Sequence, residues 1–193
     1  MKIVALFGSP RANGNTATLT KTFNKTAEEL GADVRTFMLN DLNARGCQAC
    51  DACKTKTDYC VIEDDLSEVL ESVKKADVLV AATPIYFADV TAQFKIFVDR
   101  CYSFMEPFKI MPEVSRLKAG KKFVLITAQN REKEMFAEVC TKYCMIFEFL
   151  GFQETNLIRG CDLLEADALT KKNRQDLIDL SKEMARKIMK EAS

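Results

Sequence analysis

Lys2-Ile-Val-Ala-Leu-Phe7 runs straight into Gly8-Ser-Pro-Arg-Ala-Asn-Gly-Asn-Thr16, and this junction decides the expected fold. The first segment is short, aliphatic and without polar alternation, the pattern of a parallel strand covered on both faces. From Asn15 onward, Thr16, Leu19, Phe23, Ala27 and Leu30 recur at intervals of three or four, and Gly31 supplies a stop, so a helix should follow. Strand, polar loop and helix in succession aim unpaired backbone N–H groups and the positive helix end at one point past the strand. An anion is expected there. Ser9, Asn15 and Thr16 offer side-chain donors, Arg11 a charge, and Gly8 and Gly14 room for a tight backbone. The plainer alternative is an ordinary strand-to-helix loop in which Asn15 or Thr16 caps the helix. No Gly-Lys-Ser/Thr follows, which disfavours a nucleoside-triphosphate loop, and the glycines miss the dinucleotide spacing; a monophosphate ligand remains.

Working outward, Asp33 to Leu39 alternates like an edge strand. Residues 40–64 form a long connection holding Cys47, Cys50, Cys53 and Cys60, and a loop of that length in a compact domain usually has a function. Leu66, Val69, Leu70 and Val73 mark a helix, and Asp77 to Ala82 another buried strand that ends in Thr83-Pro-Ile-Tyr-Phe-Ala-Asp-Val90. A helix from about Thr91 should turn Phe94, Phe97, Val98 and Cys101 inward, before the irregular apolar stretch Phe104 to Pro112. Lys121 to Ala128 reads as a fourth strand, Glu134 to Leu150 as a fourth helix, Glu154 to Ile158 as a fifth strand, and a polar closing helix follows Thr170.

Five strands alternating with five helices predict a single three-layer α/β/α domain over residues 1–193, built on a parallel sheet with right-handed crossovers. In such sheets ligands bind beyond the carboxyl ends of the strands where strand order reverses, and in the flavodoxin-like order 2-1-3-4-5 that point holds flavin mononucleotide. This would bring Ser9–Thr16 beside Pro84–Phe87. Pro84 stiffens the strand exit and leaves backbone N–H and C=O groups for the polar edge of an isoalloxazine, with Tyr86 or Phe87 packing nearby. Alternatively, these aromatics merely cover the core.

The 193 residues suffice for one well-buried domain. Lysine and arginine number 28 and aspartate and glutamate 28, so no bulk charge recruits nucleic acid or anionic membrane. The chain enters a strand within two residues and has no apolar run of membrane-spanning length, so a cytoplasmic protein is expected. Histidine is absent, which excludes imidazole general-base catalysis and histidine-containing metal sites.

Together, the Gly8–Thr16 loop, the cysteine loop ending Cys60-Val-Ile-Glu-Asp-Asp65, and Thr83–Lys95 with Asp99-Arg100 resemble the NADPH-dependent FMN reductase family over residues 1 to about 130. Within that flavodoxin-like group the cysteine pattern is most similar to the iron-sulfur flavoproteins, which pair FMN with a [4Fe–4S] cluster and pass electrons as homo-oligomers. The resemblance implies that Ser9, Arg11, Gly14, Asn15 and Thr16 hold the FMN phosphate, and that Pro84, Ile85, Tyr86 and Phe87 contact the ring. It also implies a third flavin-side loop at Thr127 to Gln129, where the sequence has no distinctive motif.

Cys47, Cys50, Cys53 and Cys60 follow a C-x2-C-x2-C-x6-C pattern whose compact triple resembles the cluster runs of ferredoxins. Zinc is less natural, because structural zinc sites draw on two separated pairs. A flavin reductase with an empty loop is the remaining alternative. Cys101, Cys140 and Cys144 read as core packing, and Cys161 as an incidental residue at the far sheet edge. Met145, Ile146 and Phe149 broaden the apolar face of the fourth helix; with Phe104–Met111 they point to a homo-oligomer, a dimer or tetramer, with a deep core or a lid as alternatives.

Three functions are therefore expected to compete. The first is an FMN-dependent oxidoreductase taking electrons from NAD(P)H and passing them to a small-molecule or protein acceptor. The second is a cluster-bearing electron carrier working between a ferredoxin-like partner and FMN. The third is a non-catalytic sensor in which the loop thiols oxidise reversibly.

Overall fold

The Lys2–Phe7 run is strand β1, and it lies inside a five-stranded parallel sheet rather than at its edge. A computed structural model describes residues 1–109, 113–165, 167–171 and 174–190. Their order is β1 (Lys2–Phe7), α1 (Asn15–Glu29), β2 (Asp33–Met38), α2 (Ala52–Thr55), α3 (Leu66–Lys75), β3 (Val78–Pro84), α4 (Ala92–Arg100), β4 (Lys122–Ala128), α5 (Ala137–Phe149), β5 (Glu154–Gly160), α6 (Ala168–Lys171) and α7 (Gln175–Lys190). All pairings are parallel, as the alternating pattern predicts, and the strand order is β2-β1-β3-β4-β5, the flavodoxin-like order expected above.

Unalternated apolar strands produce this arrangement because both sheet faces need covering. Ile3, Ala5, Val80 and Ile126 join a core with Leu19, Phe23, Ala185 and Ile188, which places α1 and α7 on one face. Val4, Leu6, Leu79 and Phe123 meet Phe94, Phe97, Tyr143 and Phe147 on the other, beneath α3, α4 and α5. Phe123 and Phe147 stack there with ring centroids 4.0 Å apart. Strand β2 is the exposed edge: of its six residues only Phe37 is buried. The register brings Phe7 beside Ala82, Pro84 beside Ala128 and Ala128 beside Gly160, so the strand ends share one rim.

Three expectations need adjustment. Helix α5 starts at Ala137, not near Glu134, because Phe136 adopts a left-handed φ of 63° just before it. The 40–64 connection is not wholly irregular, since α2 lies within it. Of the apolar stretch assigned to an interface, Phe104 is buried core, Phe108 is fully exposed, and Ile110, Met111 and Pro112 lie outside the described residues. On α5, Met145 and Phe149 are exposed, whereas Ile146 packs against the core.

Candidate flavin cleft and cysteine loop

At the shared rim the β1–α1 and β3–α4 loops are tied directly together. Gly8 N–H donates to Ala82 O at 2.7 Å, and the Thr91 hydroxyl donates to Gly8 O at 2.7 Å. Thr91 also receives the Phe94 N–H at the start of α4, while its own N–H donates to Thr83 Oγ1 at 3.1 Å. A Cβ at Gly8 would stand 3.0 Å from Ala82 O and 3.1 Å from Thr91 Oγ1, so a side chain there would press the two loops apart by a few tenths of an ångström.

Between these loops opens a cleft of about 490 Å³, a size suited to a small-molecule or cofactor site. It brings together Ser9, Arg11, Gly14, Asn15, Thr16, Pro84, Ile85, Tyr86, Phe87 and Gln129, all ten residues expected at the cofactor. Helix α1 begins after Gly14 with no side-chain cap and no acidic residue in its first turn. Neither Asn15 nor Thr16 caps it, so the positive end of a 15-residue helix faces the cleft beside the Arg11 guanidinium. That end fits a phosphate monoester.

The individual side chains act differently from one another. Ser9 Oγ accepts the Arg11 N–H at 3.1 Å and shapes the loop. Asn15 looks away from an anion: its Nδ2 donates to Glu165 O at 2.7 Å and its Oδ1 accepts the Leu169 N–H at 3.1 Å. Gln129 is buried, with Nε2 donating to Glu132 O and Met135 O, both at 2.8 Å, and Oε1 accepting from Arg159. Both ends of its amide therefore organise the β4–α5 loop.

The ring-side loop carries backbone strain. Tyr86 and Asp89 exchange N–H···O bonds of 2.8 and 3.2 Å around Phe87 and Ala88, whose φ values of 47° and 67° are the left-handed pair of a type I′ turn. Such values are disfavoured for non-glycine residues. The turn leaves the Phe87 ring fully exposed at the cleft mouth. Lys142 Nζ donates to Asp89 Oδ2 at 2.7 Å and anchors the turn to α5. Burial works against ionisation of Asp89, but hydrogen bonds from Lys142 and the Val90 N–H outweigh it and hold the carboxyl below its ordinary range.

Several lining residues escape sequence reasoning: Ala88, Asn130, Arg131, Phe136, and Leu163 to Glu165 after β5. The only available signal was positional, since every βα loop of such a sheet opens on the same rim.

The four loop cysteines are free and line a second, small cavity of about 20 Å³ together with Arg100 and Tyr102. Cys47 and Cys50 are exposed, and Cys53 and Cys60 half-buried. Left-handed residues Ala49 and Asp51 turn the chain between the cysteines. Among the described residues no group of three or more His, Cys, Asp or Glu side chains converges on a position for one metal ion. Four thiols lining one cavity, with three cationic side chains around it, are a donor set suited to a polynuclear anionic group. Arg100 donates to Cys60 Sγ, Arg116 donates to Cys53 O at 2.8 Å, and Lys54 donates to the Tyr102 and Met105 carbonyls. Burial pushes the Cys53 thiol up, against the opposing pull of Lys54. Cys101 and Cys140 are buried and Cys144 half-buried, in line with packing roles, and Cys161 follows β5 at the far edge of the sheet.

The family model for NADPH-dependent FMN reductase matches residues 1–139. An iron-sulfur flavoprotein of Methanocaldococcus jannaschii is 30% identical over 150 residues, which are 78% of this chain and 74% of that one. An iron-sulfur flavoprotein of Methanosarcina thermophila is 35% identical over 100 residues, about half the length of each chain at 52%. In fold, the chain is similar to an FMN-dependent NADH-azoreductase from Bacillus anthracis in complex with FMN (TM-score 0.74, 16% identity, 98% and 100% of the two chains). It is likewise similar to an NAD(P)H:quinone oxidoreductase from Methanothermobacter marburgensis (TM-score 0.77, 15% identity, 97% and 96%). With a flavodoxin-like sheet, an uncapped helix end at its switch point and a family match across 139 residues, the chain belongs to the NADPH-dependent FMN reductase family and is an FMN-dependent oxidoreductase.

Proposed function

We propose that this chain takes electrons from NAD(P)H and delivers them to a small-molecule or protein acceptor at one exposed flavin face. The observation that carries the reading is the meeting of all ten expected residues in one cleft. FMN, when bound, supplies the redox chemistry, accepting a hydride and releasing electrons singly or in pairs. The backbone amides opening α1 and Arg11 bind its phosphate, with Ser9 and Gly14 setting the loop shape. Pro84 and Ile85 border the ring, and Tyr86 and Phe87 shield it. Asn15 and Gln129 work one step removed, holding the 165–169 and 130–136 segments as walls. The cleft mouth is the natural docking place for the nicotinamide, and donor and acceptor would use it in turn. Ping-pong kinetics with stoichiometric FMN are expected; apoprotein that fails to bind FMN in a fluorescence-quenching titration would refute the reading.

A second reading is favoured by the cysteine cavity and the names of the iron-sulfur relatives. Here Cys47, Cys50, Cys53 and Cys60 hold a [4Fe–4S] cluster that passes single electrons between a ferredoxin-like partner and FMN. Anaerobic purification with iron and acid-labile sulfide assays tests it; iron-free protein after reconstitution, with full NAD(P)H oxidation, eliminates the relay. Reversible thiol oxidation in that iron-free protein would instead favour a sensor. A reducing cytoplasm is the proposed setting, since all eight cysteines are free. Among the described residues no helix is long and apolar enough to cross a membrane. Exposed Phe108, Met145 and Phe149 support a homo-oligomer, a dimer or tetramer, which light scattering would size.

A further inference from the structure

Arg100 is the second unusual feature of the cysteine loop. It closes α4, where a cation would ordinarily reach into water, yet its side chain has no exposed surface. Every nitrogen is spoken for. Nε–H donates to Cys60 Sγ at 3.0 Å, Nη1 to Asp64 Oδ2 and Arg45 O at 2.9 Å each, and Nη2 to Ile62 O at 2.9 Å. The partners lie on both limbs of the loop, before Cys47 and after Cys60. A clamp alone would need only the carbonyls and Asp64; it does not need a guanidinium N–H on a thiol sulfur. Among the described residues Cys60 is the one loop cysteine whose sulfur receives such a bond, as Arg116 meets only the backbone of Cys53 among the cysteines.

Resting on the cluster reading above, we propose that Arg100 is a positioning and tuning residue: it fixes Cys60 as the preset fourth ligand and, with Asp64, sets the reduction potential of the cluster. One-electron reduction adds a single negative charge and makes or breaks no bond. An N–H aimed at a ligand sulfur strengthens as that charge arrives, so Arg100 favours the reduced form, while the Asp64 carboxylate behind it opposes that form. The two residues therefore predict shifts of opposite sign.

Arg100→Lys keeps the charge and loses the planar fork that places Nε on sulfur; Asp64→Asn keeps the shape and loses the negative charge. Both are reconstituted anaerobically with iron and sulfide, and their cluster potentials are read by dithionite titration followed by electron paramagnetic resonance, with iron content and melting temperature as controls. The expected result is a lower potential in Arg100→Lys by about tenfold in the one-electron equilibrium, roughly 59 mV, and a higher potential in Asp64→Asn. Unmoved potentials, shifts of the same sign, or loss of iron from both variants while the unsubstituted protein stays loaded would make Arg100 a loop clamp only and overturn the inference. Failure of the unsubstituted protein itself to take up iron would instead overturn the cluster reading, and this inference with it.

Discussion

The flavin cleft and the cysteine loop lie on one chain but are built by opposite means. The cleft stands on strand ends aligned by main-chain ladders, and even its loop-to-loop ties run through Gly8 N–H and O. The cysteine loop has one four-residue helix, α2, and is held chiefly by buried or half-buried side chains, Arg100, Asp64, Arg116 and Lys54. Main-chain order spreads a site's stability over many bonds, whereas clamps concentrate it in a few. Losing one clamp should therefore open one region and leave the other intact.

The largest effect is expected from Arg100→Ala. It leaves Asp64 buried without its partner, and breaking such a pair costs about 3–5 kcal/mol. Hydrogen exchange should accelerate across residues 43–64 while Lys2–Phe7 and Val78–Pro84 stay protected; uniform acceleration would abolish the contrast between the two regions. Gly8→Ala comes next, since its methyl meets backbone at Ala82 O; a loss of about 1–3 kcal/mol is expected in urea unfolding, with weaker FMN binding. Thr91→Ala removes the helix cap and the hydroxyl bond to Gly8 O, for about 1 kcal/mol and a measurable rise in the FMN dissociation constant.

The smallest effect concerns acid. Glu154 sits at the opposite end of β5 from the cleft, where Lys187, in the face of some burial, and then Asn156 and Lys122 hold its carboxyl down to about 2. A carboxyl depressed below its unfolded value near 4.5 contributes in full above that pH, and the contribution disappears as pH falls through about 2. Partial exposure limits it to about 1 kcal/mol. Glu154→Gln should flatten the stability curve between those values without changing FMN affinity at neutral pH. A change in affinity would mean that the two ends of the sheet are coupled.

The contrast also explains what could be read from the chain beforehand. Apolar runs such as Val78–Ala82 announce buried strands because burial on both faces leaves no room for polar alternation, whereas their order came from the likeness to the flavodoxin-like arrangement. The residues leaving β1 and β3 were legible for the same reason: a strand end of known position carries its loop with it. Leu163, Leu164 and Glu165 were not, since their place depends on a loop after β5 bonding to Asn15 some 150 residues earlier. Arg100 stood out only as half of the Asp99-Arg100 pair in the family resemblance, and its burial was not legible. A basic residue in the last turn of an amphipathic helix reads as a solvated charge, and only the wrapping of the 40–64 connection around it makes it interior.

The Asn15 clasp has a consequence for biosynthesis. The Asn15 side chain, at the opening of α1, closes on Glu165 and Leu169, some 150 residues later in the sequence. A chain made only as far as β4 would present a phosphate grip with one side missing, so vitamin capture waits until the segment after β5 has been made.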